Sequence, residues 1–128
     1  MALEILVVDD SSAIRKILLR VLGQTNLPIA QIHEANDGVE ALKALEGGNV
    51  GLIMSDINMP NMDGLQLLTT IRANPAWKNL PVIMITTEGS QAKVLEAVQL
   101  GATGYVRKPF TPEEIKGKIE ACFSGTIG

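Results

Sequence analysis

Cysteine occurs once in the chain, at Cys122, and histidine once, at His33. A single thiol excludes an internal disulfide framework and any Cys-x-x-Cys zinc pair, and it suits a reducing compartment. A single imidazole leaves no His-rich metal site and no choice of base for a Ser-His or Cys-His triad. Aromatic residues are scarce: Trp77, Tyr105, Phe110 and Phe123 are the whole set. No apolar run approaches the roughly 20 residues that span a bilayer. The start, MALEILVVDD, lacks the basic opening and long apolar stretch of a signal peptide. Neither sign of charge dominates, with 11 basic and 14 acidic residues giving a net charge of -3. The basic residues are scattered, so there is no nucleic-acid footprint. These absences predict a cytoplasmic chain with neither nucleic acid nor membrane as partner.

Hydrophobic residues make up 46% of the 128, enough for one packed core and no second domain. Short apolar runs alternate with amphipathic stretches throughout. The runs are Leu3 to Val8 (apolar except for Glu4), Ile29 to His33, Gly51 to Met54, Val82 to Ile85 and Gly104 to Val106. The first, third and fourth are continuous rather than alternating, as in strands covered on both faces. Between them, Ile14, Ile17, Leu18, Val21 and Leu22 form one helical stripe. Leu65, Leu68 and Ile71 form another, as do Val94, Ala97 and Val98 before Gly101. Asp37 opens the second helix and Asp63 is placed to cap the third. Thr111-Pro112-Glu113-Glu114 reads as a capping box with proline at the first helical position, followed by Ile115, Ile119 and Phe123. Five strands alternating with five helices predict an α/β fold, a doubly wound five-stranded parallel sheet covered on both faces. The domain is expected to span 1–124, with a frayed tail at 125–128.

Ligands of an open parallel sheet bind beyond the carboxyl ends of its strands, where the strand order switches. The first apolar run ends in Asp9-Asp10, the third in Asp56, the fourth in Thr86-Thr87, and the fifth leads into Lys108-Pro109. Crowded carboxylates raise one another's pKa unless a cation sits among them. A hard divalent ion such as Mg2+ meets that need, and the backbone carbonyl of Asn58 could join its ligands. Taken singly, each residue has a plainer reading. Asp10 could cap the helix that begins at Ser11-Ser12, Thr86 could be an ordinary β-branched strand end, and Lys108 a surface lysine. His33 reads as an edge or half-buried histidine, and Cys122 as a packing residue.

Four blocks carry a family resemblance: LVVDDSS at 6–12, MSDINMPNMDGLQLL at 54–68, VIMITTE at 82–88 and GATGYVRKPFTPEEI at 101–115. In order and spacing they resemble the bacterial response-regulator receiver domain, over essentially the whole chain. The size, without an output domain, is similar to that of the single-domain CheY-like chemotaxis regulators, whose fold is flavodoxin-like. The resemblance implies that Asp56 is the phosphoacceptor. It implies Mg2+ held by Asp9, Asp10, Asp56 and the Asn58 carbonyl, with Lys108 contacting the phosphoryl group. Thr86 is then the switch hydroxyl and Tyr105 the switch aromatic. The implied partners are a sensor histidine kinase, a phosphatase, and a target protein on the face of the fourth helix, fifth strand and fifth helix. In chemotaxis that target is the flagellar motor switch. Asn58 and Glu88 would border the path of attacking water, and their pairing implies an acyl phosphate lasting seconds to minutes. Ile57 stands where enteric relatives carry tryptophan, and Trp77 falls in the loop after the third helix.

Other functions remain to be weighed. A phosphorelay intermediate, or a receiver for another pathway, would share the same site. A phosphatase of the haloacid dehalogenase type also forms an aspartyl phosphate, but Asn58 stands where that chemistry needs a second acid. A flavodoxin-like cofactor binder would meet acidic loops that repel phosphate. The sequence is therefore read as a switch that catalyses its own phosphotransfer and dephosphorylation, and not as an enzyme acting on a separate substrate.

Overall fold

A computed structural model describes residues 3–86 and 91–124. Glu88 and the tail at 125–128 lie outside the described residues. The elements alternate strictly: β1 (Leu3–Val8), α1 (Ser12–Gly23), β2 (Ile29–Ala35), α2 (Gly38–Leu45), β3 (Leu52–Asp56), α3 (Gly64–Ala73), β4 (Val82–Thr86), α4 (Gln91–Gln99), β5 (Gly104–Arg107) and α5 (Pro112–Ser124).

The sheet order is β2-β1-β3-β4-β5, and every pairing is parallel. Alternate side chains of the mainly apolar strands enter two cores, which explains why apolar residues are consecutive there rather than alternating with polar ones. Leu6, Val8, Ile53 and Met84 join Ala41, Leu45, Leu67, Leu68, Ile71 and Ala97 under α2, α3 and α4. On the opposite face Ile5, Val7, Met54 and Ile85 join Leu18, Leu22, Ile115, Ile119 and Cys122 under α1 and α5. Cys122 is thus a packing residue, and burial pushes its thiol pKa up.

Local chemistry sets the helix starts. Asp37 accepts from the Glu40 amide at 2.9 Å. Asp63 and Gln66 form a reciprocal capping box, as do Thr111 and Glu114. The cap of α1 is Ser11, which accepts from the Ile14 amide, rather than Asp10. Three stripes are narrower than their spacing suggested: Ile17 is 46%, Val98 53% and Phe123 42% exposed. Each lies at the margin of its helix's apolar arc, beyond the reach of the sheet. β2 runs on past His33 to Ala35, because its ladder with β1 continues to Val8↔Ala35. His33 is half-buried on this edge strand, its Nε2 within 2.9 Å of Glu4 Oε1.

Candidate functional site

From β1 the chain winds one way to β2, and from β2 it crosses back over β1 to β3. The sheet therefore reverses its winding between β1 and β3, and the carboxyl ends of those two strands flank a crevice. Asp9 follows β1 directly and Asp56 ends β3. One carboxylate oxygen from each of Asp9, Asp10 and Asp56 lies within 4.8 Å of the others. Asp9 is buried, Asp56 half-buried and Asp10 exposed, so the cluster opens to solvent on the Asp10 side.

Each acid is held by its neighbourhood. Asp9 Oδ1 accepts from the Ser11 amide at 2.8 Å, which aims the carboxylate along the start of α1. The Arg15 guanidinium donates to the Asp9 carbonyl and, through Nε, to Glu34 Oε1 at 2.9 Å. Asp56 Oδ1 accepts from the Ile57 amide at 2.8 Å. Burial holds the Asp56 carboxyl above the ordinary carboxylate pKa, and the charges of Asp9 and Asp10 add to this. The Lys108 ammonium and the Ile57 amide act in the opposite direction.

Lys108 arrives from β5. Its backbone N–H donates to the Thr86 carbonyl at 2.7 Å, which ties the end of β5 to the end of β4. Its Nζ donates to Asp9 Oδ2 at 3.1 Å and stands 3.8 Å from Asp56 Oδ2. The bond to Asp9 is a hydrogen bond, while the longer approach to Asp56 is an ion pair only. The Lys108–Pro109 peptide is cis. Thr86 is buried at the end of β4. Tyr105 lies further back on β5, 44% exposed, with the Lys118 ammonium of α5 5.3 Å from its ring centre.

Two residues have roles beyond their sequence pattern, in which Gly64 reads as a residue serving backbone conformation and Lys93 gives no signal. Gly64 begins α3 against the end of β3: its N–H donates to the Ile57 carbonyl at 2.7 Å, and a Cβ there would stand 2.1 Å from the Asp56 carbonyl. The need is for space, not for an unusual backbone angle. Lys93, on α4, donates to Asn58 Oδ1 at 2.9 Å. A lysine on an exposed helix gives no signal of such a contact. Trp77, in contrast, sits in the α3–β4 loop, packed near Leu45, Val50 and Leu80 at the opposite end of the sheet.

The donor set fits a hard cation. It consists of carboxylate oxygens alone, one side is open for water, and a neighbouring ammonium already answers part of the negative charge. An acidic crevice at the switch point of a five-stranded β2-β1-β3-β4-β5 sheet matches what the four sequence blocks led us to expect. Residues 5–120 match the family described as the response regulator receiver domain. The chain belongs to that family. Receiver domains bind Mg2+ at such an acidic pocket and work in two-component signal transduction. This receiver is 45% identical to the chemotaxis protein CheY of Pseudomonas aeruginosa, covering 98% of this chain and 100% of the relative. It is 44% identical to the chemotaxis protein CheY-3 of Vibrio cholerae over 94% of this chain and 92% of the relative. Among solved structures, the chemotaxis response regulator CheY4 of Vibrio cholerae superposes with a TM-score of 0.85 at 33% identity, covering 96% of this chain and 100% of that one. A response regulator from Chloroflexus aurantiacus superposes at 0.89 with 27% identity, over 97% of this chain and 99% of that one. No helix among the described residues is long and apolar enough to cross a membrane.

Proposed function

We propose that this receiver is a phosphoryl-accepting response regulator in which Asp56 takes the phosphoryl group of a sensor histidine kinase. The observation that carries the reading is the meeting of Asp9, Asp10, Asp56 and the Lys108 ammonium at one crevice of the sheet. A carboxylate oxygen of Asp56 attacks phosphorus while the bond from phosphorus to the donor's imidazole nitrogen breaks, and that nitrogen keeps the electron pair. Asp9, Asp10, Asp56 and the backbone carbonyl of Asn58 are the proposed Mg2+ ligands. Bound there, Mg2+ neutralises charge on the phosphoryl oxygens and on the acids themselves. Lys108 moves from Asp9 towards one phosphoryl oxygen as a point charge. The Thr86 hydroxyl donates to another.

Drawing Thr86 towards the phosphoryl group vacates space that the Tyr105 ring can enter. Phosphorylation then favours one of two arrangements of the face formed by α4, β5 and α5. Leu95 and Val98 on α4 are 58% and 53% exposed, and with Tyr105 they give that face an apolar centre for a target protein. The likeness to the CheY proteins of Pseudomonas and Vibrio favours chemotaxis, with the flagellar motor switch as target and a phosphatase as a further partner. A cytoplasmic location follows from the same reading. A phosphorelay or another pathway would use the same site with a different target.

Acetyl phosphate with Mg2+ tests the chemistry by mass spectrometry. The wild-type protein gains one phosphoryl group, and Asp56→Asn gains none. An unmodified wild type would overturn the reading, and turnover of an added phosphoester would favour a phosphatase. Capture of motor-switch, kinase and phosphatase candidates by beryllofluoride-activated protein then distinguishes the pathways.

A further inference from the structure

We infer that Lys93 is a positioning residue for the Asp56 site: by holding the Asn58 side chain it closes the β4 side of the crevice against water. The inference rests on the phosphoacceptor reading. Lys93 is the third residue of α4, and Asn58 lies two residues beyond Asp56 in the β3–α3 loop. Their 2.9 Å hydrogen bond joins groups 35 residues apart in sequence. On the sheet side, β3 and β4 are paired through Asp56↔Ile85, next to Thr86. The Lys93–Asn58 bond therefore links α4, the helix that follows β4, to the loop that follows Asp56.

The chemistry of the bond also orients Asn58. An ammonium has only donors, so the atom facing it must be the amide oxygen, and the NH2 of Asn58 is turned the other way. Both residues are exposed, so the bond contributes little to folding and its loss leaves the core intact.

The two ends of α4 are held differently. Just beyond its C-terminal end, Arg72 donates from Nε to the Gly101 carbonyl at 2.9 Å, while its Nη1 donates to the Leu80 carbonyl before β4 at 2.7 Å. Burial lowers the pKa of this guanidinium, but it remains charged. Towards its N-terminal end, the bond from Lys93 links α4 to the β3–α3 loop.

The test compares acyl-phosphate lifetimes after removal of the phosphodonor, with Mg2+ present. Lys93→Ala shortens the lifetime by about three- to tenfold, the span that one hydrogen bond commands. Lys93→Arg, which keeps the donor, stays within about twofold of wild type. In an Asn58→Ala background, Lys93→Ala adds no further change, because the two residues act as one unit. The urea midpoint of Lys93→Ala stays at the wild-type value, which separates positioning from a folding role. An unchanged or longer lifetime in Lys93→Ala would overturn the inference, as would an undiminished effect without Asn58. Wild-type protein that is never phosphorylated would overturn the receiver chemistry itself, and this inference with it.

Discussion

Lys108 Nζ lies 3.1 Å from Oδ2 of Asp9 and 3.8 Å from Oδ2 of Asp56, although Lys108 and Asp9 are 99 residues apart in the chain. The ammonium is the counter-ion of two acids at once, and it leans towards the more buried of the two. A divalent ion among the same acids would compete for that role. With Mg2+ bound as proposed, the stability of the domain and its affinity for the ion would be linked.

Removing the ammonium leaves Asp9 and Asp56 facing each other without compensation. Lys108→Ala is expected to lower stability by about 1–3 kcal/mol in the absence of divalent ions. Mg2+ should restore much of that loss by supplying the missing charge. For the wild type, Mg2+ at ten times its dissociation constant stabilises by about 1.4 kcal/mol, and Asp10→Asn loses most of this gain. Urea midpoints with and without Mg2+ provide the measurement. Equal responses in wild type and Asp10→Asn would remove Asp10 from the ligand set.

The raised pKa of Asp56 sets a direction for pH dependence. Burial is the first cause and the Asp9 charge adds to it, so the unfolded chain gives up this proton at lower pH than the folded one does. The Asp56 contribution to stability is thus fully present below the ordinary carboxylate pKa and is lost as pH rises through the folded value. Asp56→Asn removes the penalty. The variant should be more stable than wild type at neutral pH without Mg2+, and the difference should vanish at about pH 3. Urea unfolding at the two pH values measures it, and a less stable Asn variant at neutral pH would contradict the assignment.

Asp37 behaves in the opposite sense. Asn61 Nδ2 donates to Asp37 Oδ2 at 2.8 Å and is the first cause holding that carboxyl below the ordinary range, followed by the Glu40 amide. The stability this contributes is present above the ordinary pKa and is lost as pH falls through the folded value. Asn61 has φ 65°, so Asn61→Gly keeps the backbone relaxed while deleting the amide. Acid unfolding of this variant should begin at higher pH than in wild type. A coincident acid transition would show that the Asn61 contact has no weight.

Two glycines make a paired test. A Cβ on Gly64 would meet the Asp56 carbonyl at 2.1 Å and Ile57 Cα at 2.9 Å, so Gly64→Ala must push α3 away from the end of β3. A loss of about 2–4 kcal/mol is expected, with slower phosphorylation. Gly117 lies inside α5 with nothing within 4 Å of a Cβ, so Gly117→Ala should stabilise by about 0.5–1 kcal/mol. Thermal melts of the two variants should move in opposite directions.

Much of this was legible in sequence because it is local or periodic. The uninterrupted apolar run at Leu52 to Met54 could serve only a strand covered on both faces, and Asp63 and Thr111 announce their helix starts through contacts three residues away. Asp9, Asp10, Asp56, Thr86 and Lys108 stood out as candidates because they end or follow strands, where a parallel sheet collects polar ends. Other features stayed hidden. Ile17 and Val98 keep helical spacing yet face solvent, because how wide an arc of a helix is covered depends on the surface it meets. Asp10 looked a fair helix cap until Ser11 was seen to accept the Ile14 amide instead.

By itself, the sequence determined the order of elements, the strands covered on both faces and the polar residues at the strand ends, since all of these follow from neighbours along the chain. Only the tertiary structure decided that Lys108 sits on Asp9, that Gly64 must leave room for the Asp56 carbonyl, and that Lys93 reaches Asn58. These contacts join distant parts of the chain across distances of a few ångströms. Strand register and helix docking set such distances, and no local pattern records them.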